Sequence, residues 1–99
     1  MIIIVLYDIS NDKIRLKLSK YLLRIGLYRI QKSVFIGEIQ APKRKHLEQH
    51  ITRLLAEEEE SENSIVVVPV SEGNINALWR FGREMNMDLY LDRIQTLIL

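Results

Sequence analysis

The side chains able to do more than fold fall into three groups, and the first is a single acid. Asp8 closes the opening run MIIIVLYD, where six apolar residues and a tyrosine precede it. The carboxyl end of a central strand is where open sheets present ligands, and carboxylate oxygens suit a hard cation such as magnesium. Two readings stand: Asp8 accepts backbone N–H groups of the turn into the next helix, or it holds a metal ion. One carboxylate is too few to hold magnesium usefully. A two-fold dimer would bring a second copy of the same residue and make a site that neither subunit owns. The second group is His46 and His50, whose i, i+4 spacing can bind zinc. Their HLEQH stretch lacks the HExxH pattern, in which glutamate directly follows the first histidine, so an exposed helix face is the simpler reading. The third group is cationic. Lys13, Lys17, Lys20 and Arg24 recur at spacings of four, three and four, with Arg15 among them. Such a ridge on a helix suits a phosphate backbone, although lysines and arginines also simply solvate helices.

Most other catalytic machinery is missing. The chain has no glycine-rich phosphate loop, no nucleophile elbow and no cysteine, which excludes a thiol nucleophile, a disulfide scaffold and thiolate zinc sites. Nothing in it recognisably reads a base edge or a 2′-hydroxyl, so binding without sequence preference is expected.

These groups need elements to position them. The run Ile2–Tyr7 is continuous and β-branched, as a central strand covered on one or both faces would be. Ser10, Asn11 and Asp12 then offer three N-caps for a helix over roughly 12–25. Its apolar residues Ile14, Leu18, Tyr21, Leu22 and Ile25 share one face, the basic ridge takes another, and Gly26 ends it at C′. The stretch LYRIQKSVFIGEIQ alternates at first, then breaks period where Val34, Phe35 and Ile36 stand side by side. It predicts two short strands, about 28–31 and 34–39, turning near Lys32–Ser33. Pro42 opens a second helix with Leu47, Ile51, Leu54 and Leu55 on its buried face and Lys43, His46, His50 and Arg53 opposite. The acidic run at 57–63 reads as a frayed helix end and solvated loop. SIVVVPV is a fourth strand, and Pro69 implies that it lies at a sheet edge or finishes there. A short helix around 75–85 carrying Trp79 follows, then an apolar tail. The order β-α-β-β-α-β predicts an α+β, ferredoxin-like sandwich, an antiparallel sheet with two helices on one face.

The 99 residues make one domain, with 1–70 as its core and 71–99 as a C-terminal extension, near the size at which a partner adds useful burial. A hydrophobic fraction of 47% marks a globular chain rather than a disordered one. The lack of cysteine fits a reducing cytoplasm. No basic region precedes the opening apolar run, and no stretch reaches the ~18 apolar residues of a span, so neither a signal peptide nor a membrane partner is expected. The net charge of +1 hides an asymmetry: residues 1–56 carry 11 Lys and Arg against 4 Asp and Glu, and residues 57–99 carry 3 against 9. A structured, basic half is a candidate surface for nucleic acid.

VLYDIS with KIRLKLSKYL, then GLYRIQKSVFIGEI, resembles the small CRISPR-associated spacer-acquisition nucleases. The resemblance covers roughly residues 1–70 and lies in the combination of a strand-end YD, a basic first helix and RIQKSVF. It implies a ferredoxin-like homodimer that binds nucleic acid, double-stranded DNA first and RNA as the alternative, beside a CRISPR integrase subunit. Two roles come with it. One is metal-dependent endonuclease action in spacer acquisition; the other is a non-catalytic scaffold that binds double-stranded DNA and bridges two integrase copies. A plain protein-interaction module would require that the basic faces bind nothing. By position, the family's metal aspartate falls on Asp8, with Tyr7 before it as the second catalytic candidate. Its early helix cations fall on Arg15 and Lys17, and its hairpin arginine and phenylalanine on Arg29 and Phe35. Members often carry arginine where Lys17 stands, which here leaves a point-charge phosphate contact instead of a bidentate one. The implied cofactor is magnesium shared between two Asp8 carboxylates, polarising a phosphoryl oxygen and activating water. Both histidines lie on the second helix, so no general base is evident and slow hydrolysis is expected. The tail, with Met87, Leu89, Tyr90, Leu91, Ile94, Leu97, Ile98 and Leu99, is implied to cross to the second subunit as an added strand.

Overall fold

A computed structural model describes residues 1–58, 62–79 and 81–82. The elements run β1 (Ile2–Asp8), α1 (Asp12–Arg24), β2 (Tyr28–Gln31), β3 (Val34–Glu38), α2 (Ala41–Leu55), β4 (Ser64–Val70) and α3 (Glu72–Asn76). The strands pair antiparallel in the order β2-β3-β1-β4, and α1 and α2 cover one face. This is the ferredoxin-like α+β arrangement that the sequence predicts. The added C-terminal strand and the crossing tail expected at 87–99 lie outside the described residues.

β1 is central, pairing Val5 with Phe35 on one side and with Val67 on the other. Strand alternation sends Ile3, Val5 and Tyr7 beneath the helices, where they join the main core with Ile14, Leu18 and Leu22 of α1 and Leu47 and Leu54 of α2. The same alternation turns Ile2, Ile4, Leu6 and Asp8 to the other face. α1 begins because the Asn11 Oδ1 accepts the Ile14 N–H at 3.0 Å. It ends in a Schellman pair, Leu27 N–H to the Leu22 carbonyl at 3.0 Å and Gly26 N–H to the Leu23 carbonyl at 3.1 Å, with Gly26 at φ +97°. That left-handed backbone is why a glycine stands there.

The break in period between β2 and β3 has two causes. Arg29 pairs with Phe35 but Gln31 pairs with Val34, so Ile30 is an extra, bulged residue. The adjacent apolar residues of β3 then serve opposite faces: Phe35 packs under the helices and Ile36 joins a second, smaller core. Gly37 follows because Leu27 lies directly on it; a Cβ there would collide with the Leu27 side chain and come within 3.0 Å of its Cα. β4 ends the described sheet, and Pro69 sits on it opposite Ile3, where no outward N–H is required.

The last helix differs from the sequence expectation. It spans Glu72–Asn76 rather than about 75–85, because the Ser71 Oγ accepts the Asn74 N–H at 3.1 Å and so caps an earlier start. Trp79 lies beyond it and is exposed; residues 80 and 83–85 lie outside the described part. Ile75 of α3 is buried against Ile2 and Ile36, with Ile4, Tyr28, Ile30, Val70 and Leu78 around them. This helix therefore closes part of the sheet face that α1 and α2 leave open. Among the described residues, no helix is long and apolar enough to cross a membrane.

Candidate metal and nucleic-acid site

Asp8 is the last residue of β1, paired across to Ser64 of β4, and its side chain is exposed on the face away from α1 and α2. It makes no hydrogen bond or ion pair with any described residue. The turn into α1 is served by others. Asn11 caps the helix, and the Ser10 N–H donates to the Asn63 Oδ1 at 3.0 Å. Asn63 and Asn11 each also donate to the Glu58 carboxylate, at 2.9 and 3.4 Å, which ties the β1–α1 turn to the start of β4. Asp8 is thus not the cap that one reading of the sequence made it.

Tyr7 precedes Asp8 and points to the opposite side. It is buried, its hydroxyl donates to the Lys32 carbonyl at 3.3 Å, and its ring stacks on Phe35 with centroids 6.1 Å apart. Its backbone N–H donates to the Ser33 carbonyl at 3.1 Å. Tyr7 therefore pins the β2–β3 turn against the end of β1, and the sheet itself separates its ring from the Asp8 carboxylate. Phe35 is fully buried, and the Arg29 guanidinium lies 5.1 Å from its ring centroid, a cation–π contact at the β2 edge.

The cations of α1 are all on the helix layer. Arg15 is half-buried: it donates to the Ile9 carbonyl at 3.1 Å and pairs with Asp12, which places it beside the end of β1. Lys17 pairs with Glu57 at 3.0 Å. Arg24 sits over the Tyr21 ring at 5.6 Å. Lys13 and Lys20 are exposed and make no ion pair among the described residues. The ridge is real, but the thickness of the sheet divides it from Asp8.

The helical histidines go separate ways. His46 is exposed, whereas His50 lies face to face with Tyr21 at 3.6 Å, the planes 9° apart. Burial holds the His50 imidazole below its usual pKa, helped by the positive charges of Arg53 and Arg24 and opposed by Glu57. Nothing at the sequence level pointed to this stack, because an i, i+4 pattern does not say which neighbouring helix a ring will meet. Among the described residues, no three His, Cys, Asp or Glu side chains gather as a metal cluster.

Fold and site together define a ferredoxin-like domain with cations on its helix layer and, at the end of the central strand, a carboxylate without a partner among the described residues. The profile of the family described as CRISPR associated protein Cas2 matches residues 1–77, and the chain belongs to that family. A Pyrobaculum aerophilum protein named CRISPR-associated endoribonuclease Cas2 2 is 33% identical over 94 residues, which cover 91% of this chain and 100% of that one. A Korarchaeum cryptofilum protein named CRISPR-associated endoribonuclease Cas2 is 45% identical over 51 residues, 52% of this chain and 55% of that relative's length. The crystal structure of Streptococcus pyogenes Cas2 at pH 6.5 shares the fold, with a TM-score of 0.66 at 20% identity over 83% of this chain and 100% of that chain.

Proposed function

We propose that the chain is a CRISPR-associated, metal-dependent endonuclease of spacer acquisition, acting as a homodimer that holds one magnesium ion between two Asp8 carboxylates. The observation that carries this reading is Asp8 itself, exposed and unbonded among the described residues, at the rim of an apolar sheet face. Leu6, Val66 and Val68 on that face keep 38%, 54% and 38% of their surface exposed. A second copy laid over this face by a two-fold axis buries it and carries one Asp8 toward the other. The donor chemistry fits: magnesium prefers carboxylate oxygen and takes few protein ligands. The described residues bring no cluster of three acids or histidines together, so the fit is to a site between subunits. Magnesium bound there supplies polarisation of a phosphoryl oxygen and activation of water. Arg15, beside the end of β1, and Lys13, Lys17, Lys20, Arg24 and Arg29 bind and orient the phosphate backbone. Duplex DNA is the first substrate, and the relatives' name, endoribonuclease, brings RNA into the same test.

A second reading is a scaffold that binds double-stranded DNA without cutting it and joins integrase subunits. What favours it is placement: the cations lie across the sheet from Asp8, and neither histidine is near it. One experiment separates the two. Labelled duplex DNA and RNA are incubated with the protein and magnesium, and binding and cleavage are read in parallel for the parent and Asp8→Asn. Cleavage lost in the variant with binding retained supports the nuclease. A variant that cuts as fast as the parent overturns it, and a parent that binds but never cuts selects the scaffold.

A further inference from the structure

The cationic stripes of the two helices, separate in sequence, face one seam. Two contacts fix their alignment: Tyr21 of α1 stacks on His50 of α2 at 3.6 Å, and Lys17 of α1 meets Glu57, just past the end of α2, at 3.0 Å; Arg24 lies over the same Tyr21 ring. Lys43 and His46 share a groove with Tyr21 and Ile25 at the other end. Lys43, His46, His50 and Arg53 fall on one side of α2 by their spacing of three, four and three. That side is the one turned to α1, as the His50–Tyr21 stack shows.

We propose that the seam between α1 and α2 is the track on which a nucleic-acid backbone lies, with Lys43 and Arg53 joining Lys20 and Arg24, and His50 between them as a proton-dependent contact. The inference rests on the reading that the α1 ridge binds nucleic acid, and it adds a second helix and a proton to that reading. Lys20, Arg24, Lys43 and Arg53 make no ion pair among the described residues. Two described acids border the stripe: Glu57, which Lys17 engages at 3.0 Å, and Glu38, which lines the groove beside Lys43 and lies 3.9 Å from the N-terminal ammonium. Like charges along one seam repel one another, and a polyanion relieves that repulsion while releasing its own counterions. From Lys43 to Arg53 the helix advances about 15 Å, which matches between four and five base-pair rises of about 3.4 Å. Contacts at the two ends therefore reach phosphates several steps apart on one strand.

His50 adds the proton. The groups facing it are Tyr21 and Arg24 from α1, Arg53 from its own helix and Glu57 from the turn just beyond that helix. In the free protein, burial and the two arginines hold its pKa down. A phosphate laid along the seam offsets the arginines, favours the imidazolium and raises that pKa, so binding takes up a proton. Affinity then increases as pH falls through the histidine range.

The test is fluorescence anisotropy with a random-sequence duplex DNA, at several salt concentrations and from about pH 8 down to about pH 6. Lys43→Gln with Arg53→Gln is expected to weaken binding and to flatten the slope of log affinity against log salt by about 1.8, or about 0.9 per lost contact. Both residues are exposed, and circular dichroism checks that the pair leaves the fold intact. His50→Phe keeps an aromatic ring against Tyr21 and is expected to abolish most of the gain in affinity at the lower pH. The seam is overturned if the α2 pair binds like the parent while Lys20→Gln with Arg24→Gln binds weakly. The duplex then lies on α1 alone, and the broader reading survives. A parent that binds no duplex overturns both. A His50→Phe variant with the parent's full pH response overturns the role given to His50.

Discussion

On one face of the sheet, Ile3, Val5, Tyr7 and Phe35 lie under two helices and are 0–6% exposed, and exposure rises to 38% only at Val67 on the β4 edge; on the other, Leu6, Val66 and Val68 stand 38–54% in solvent. The first face has what a fold needs: two helices of 13 and 15 residues, a Schellman end and a capped start. Among the described residues, the second is closed where α3 sets Ile75 on Ile2 and Ile36. Toward the carboxyl end of β1 it stays open, and Asp8 stands there. Stability is concentrated on the helix side, and the side left unfinished is the one that carries Asp8. The cations make the same division from the other direction, since they coat the outside of the finished layer.

That contrast breaks first under truncation of the main core. Phe35→Ala removes a fully buried ring and should cost about 3–5 kcal/mol, seen as a lowered denaturant midpoint. Ile75→Ala acts on the smaller cluster beneath a helix of 5 residues, and about 2 kcal/mol is expected because the rim can relax. A loss equal to that of Phe35→Ala would erase the difference between the faces. Asn11→Ala deletes the cap that frees Asp8 from that duty, at about 1 kcal/mol in the same measurement. Val66→Asp should change the fold of the single chain least, within about 0.5 kcal/mol, because the site is solvated. Sedimentation should nevertheless show it as a monomer. A Val66→Asp dimer as tight as the parent would mean that the open face is not where two copies meet.

Much of the helix-covered face was legible in the chain. The run Ile2–Tyr7, the caps around Asn11, Gly26, the turn at Lys32–Ser33 and the edge proline each act through local geometry, so they read the same in sequence and in space. The second face was less so. Ser71 caps a helix that starts before Gly73, whereas the glycine reads in sequence as a boundary that the helix follows. Ile36 beside Phe35 looked like a flaw in period until both faces were known to be covered. At the site, spacing identified both cationic stripes. It could not show that they converge, because helical period sets which residues share a side and tertiary packing sets what that side meets. The division between Tyr7 and Asp8 follows from strand alternation alone.

The most direct measurement of the central claim is calorimetric titration of magnesium into the purified protein and into Asp8→Asn, with oligomeric state checked by sedimentation. A carboxylate pair across the open face predicts one ion bound per two chains, and no binding heat in the variant while it remains folded. An ion bound per single chain, or unchanged binding in Asp8→Asn, would contradict it.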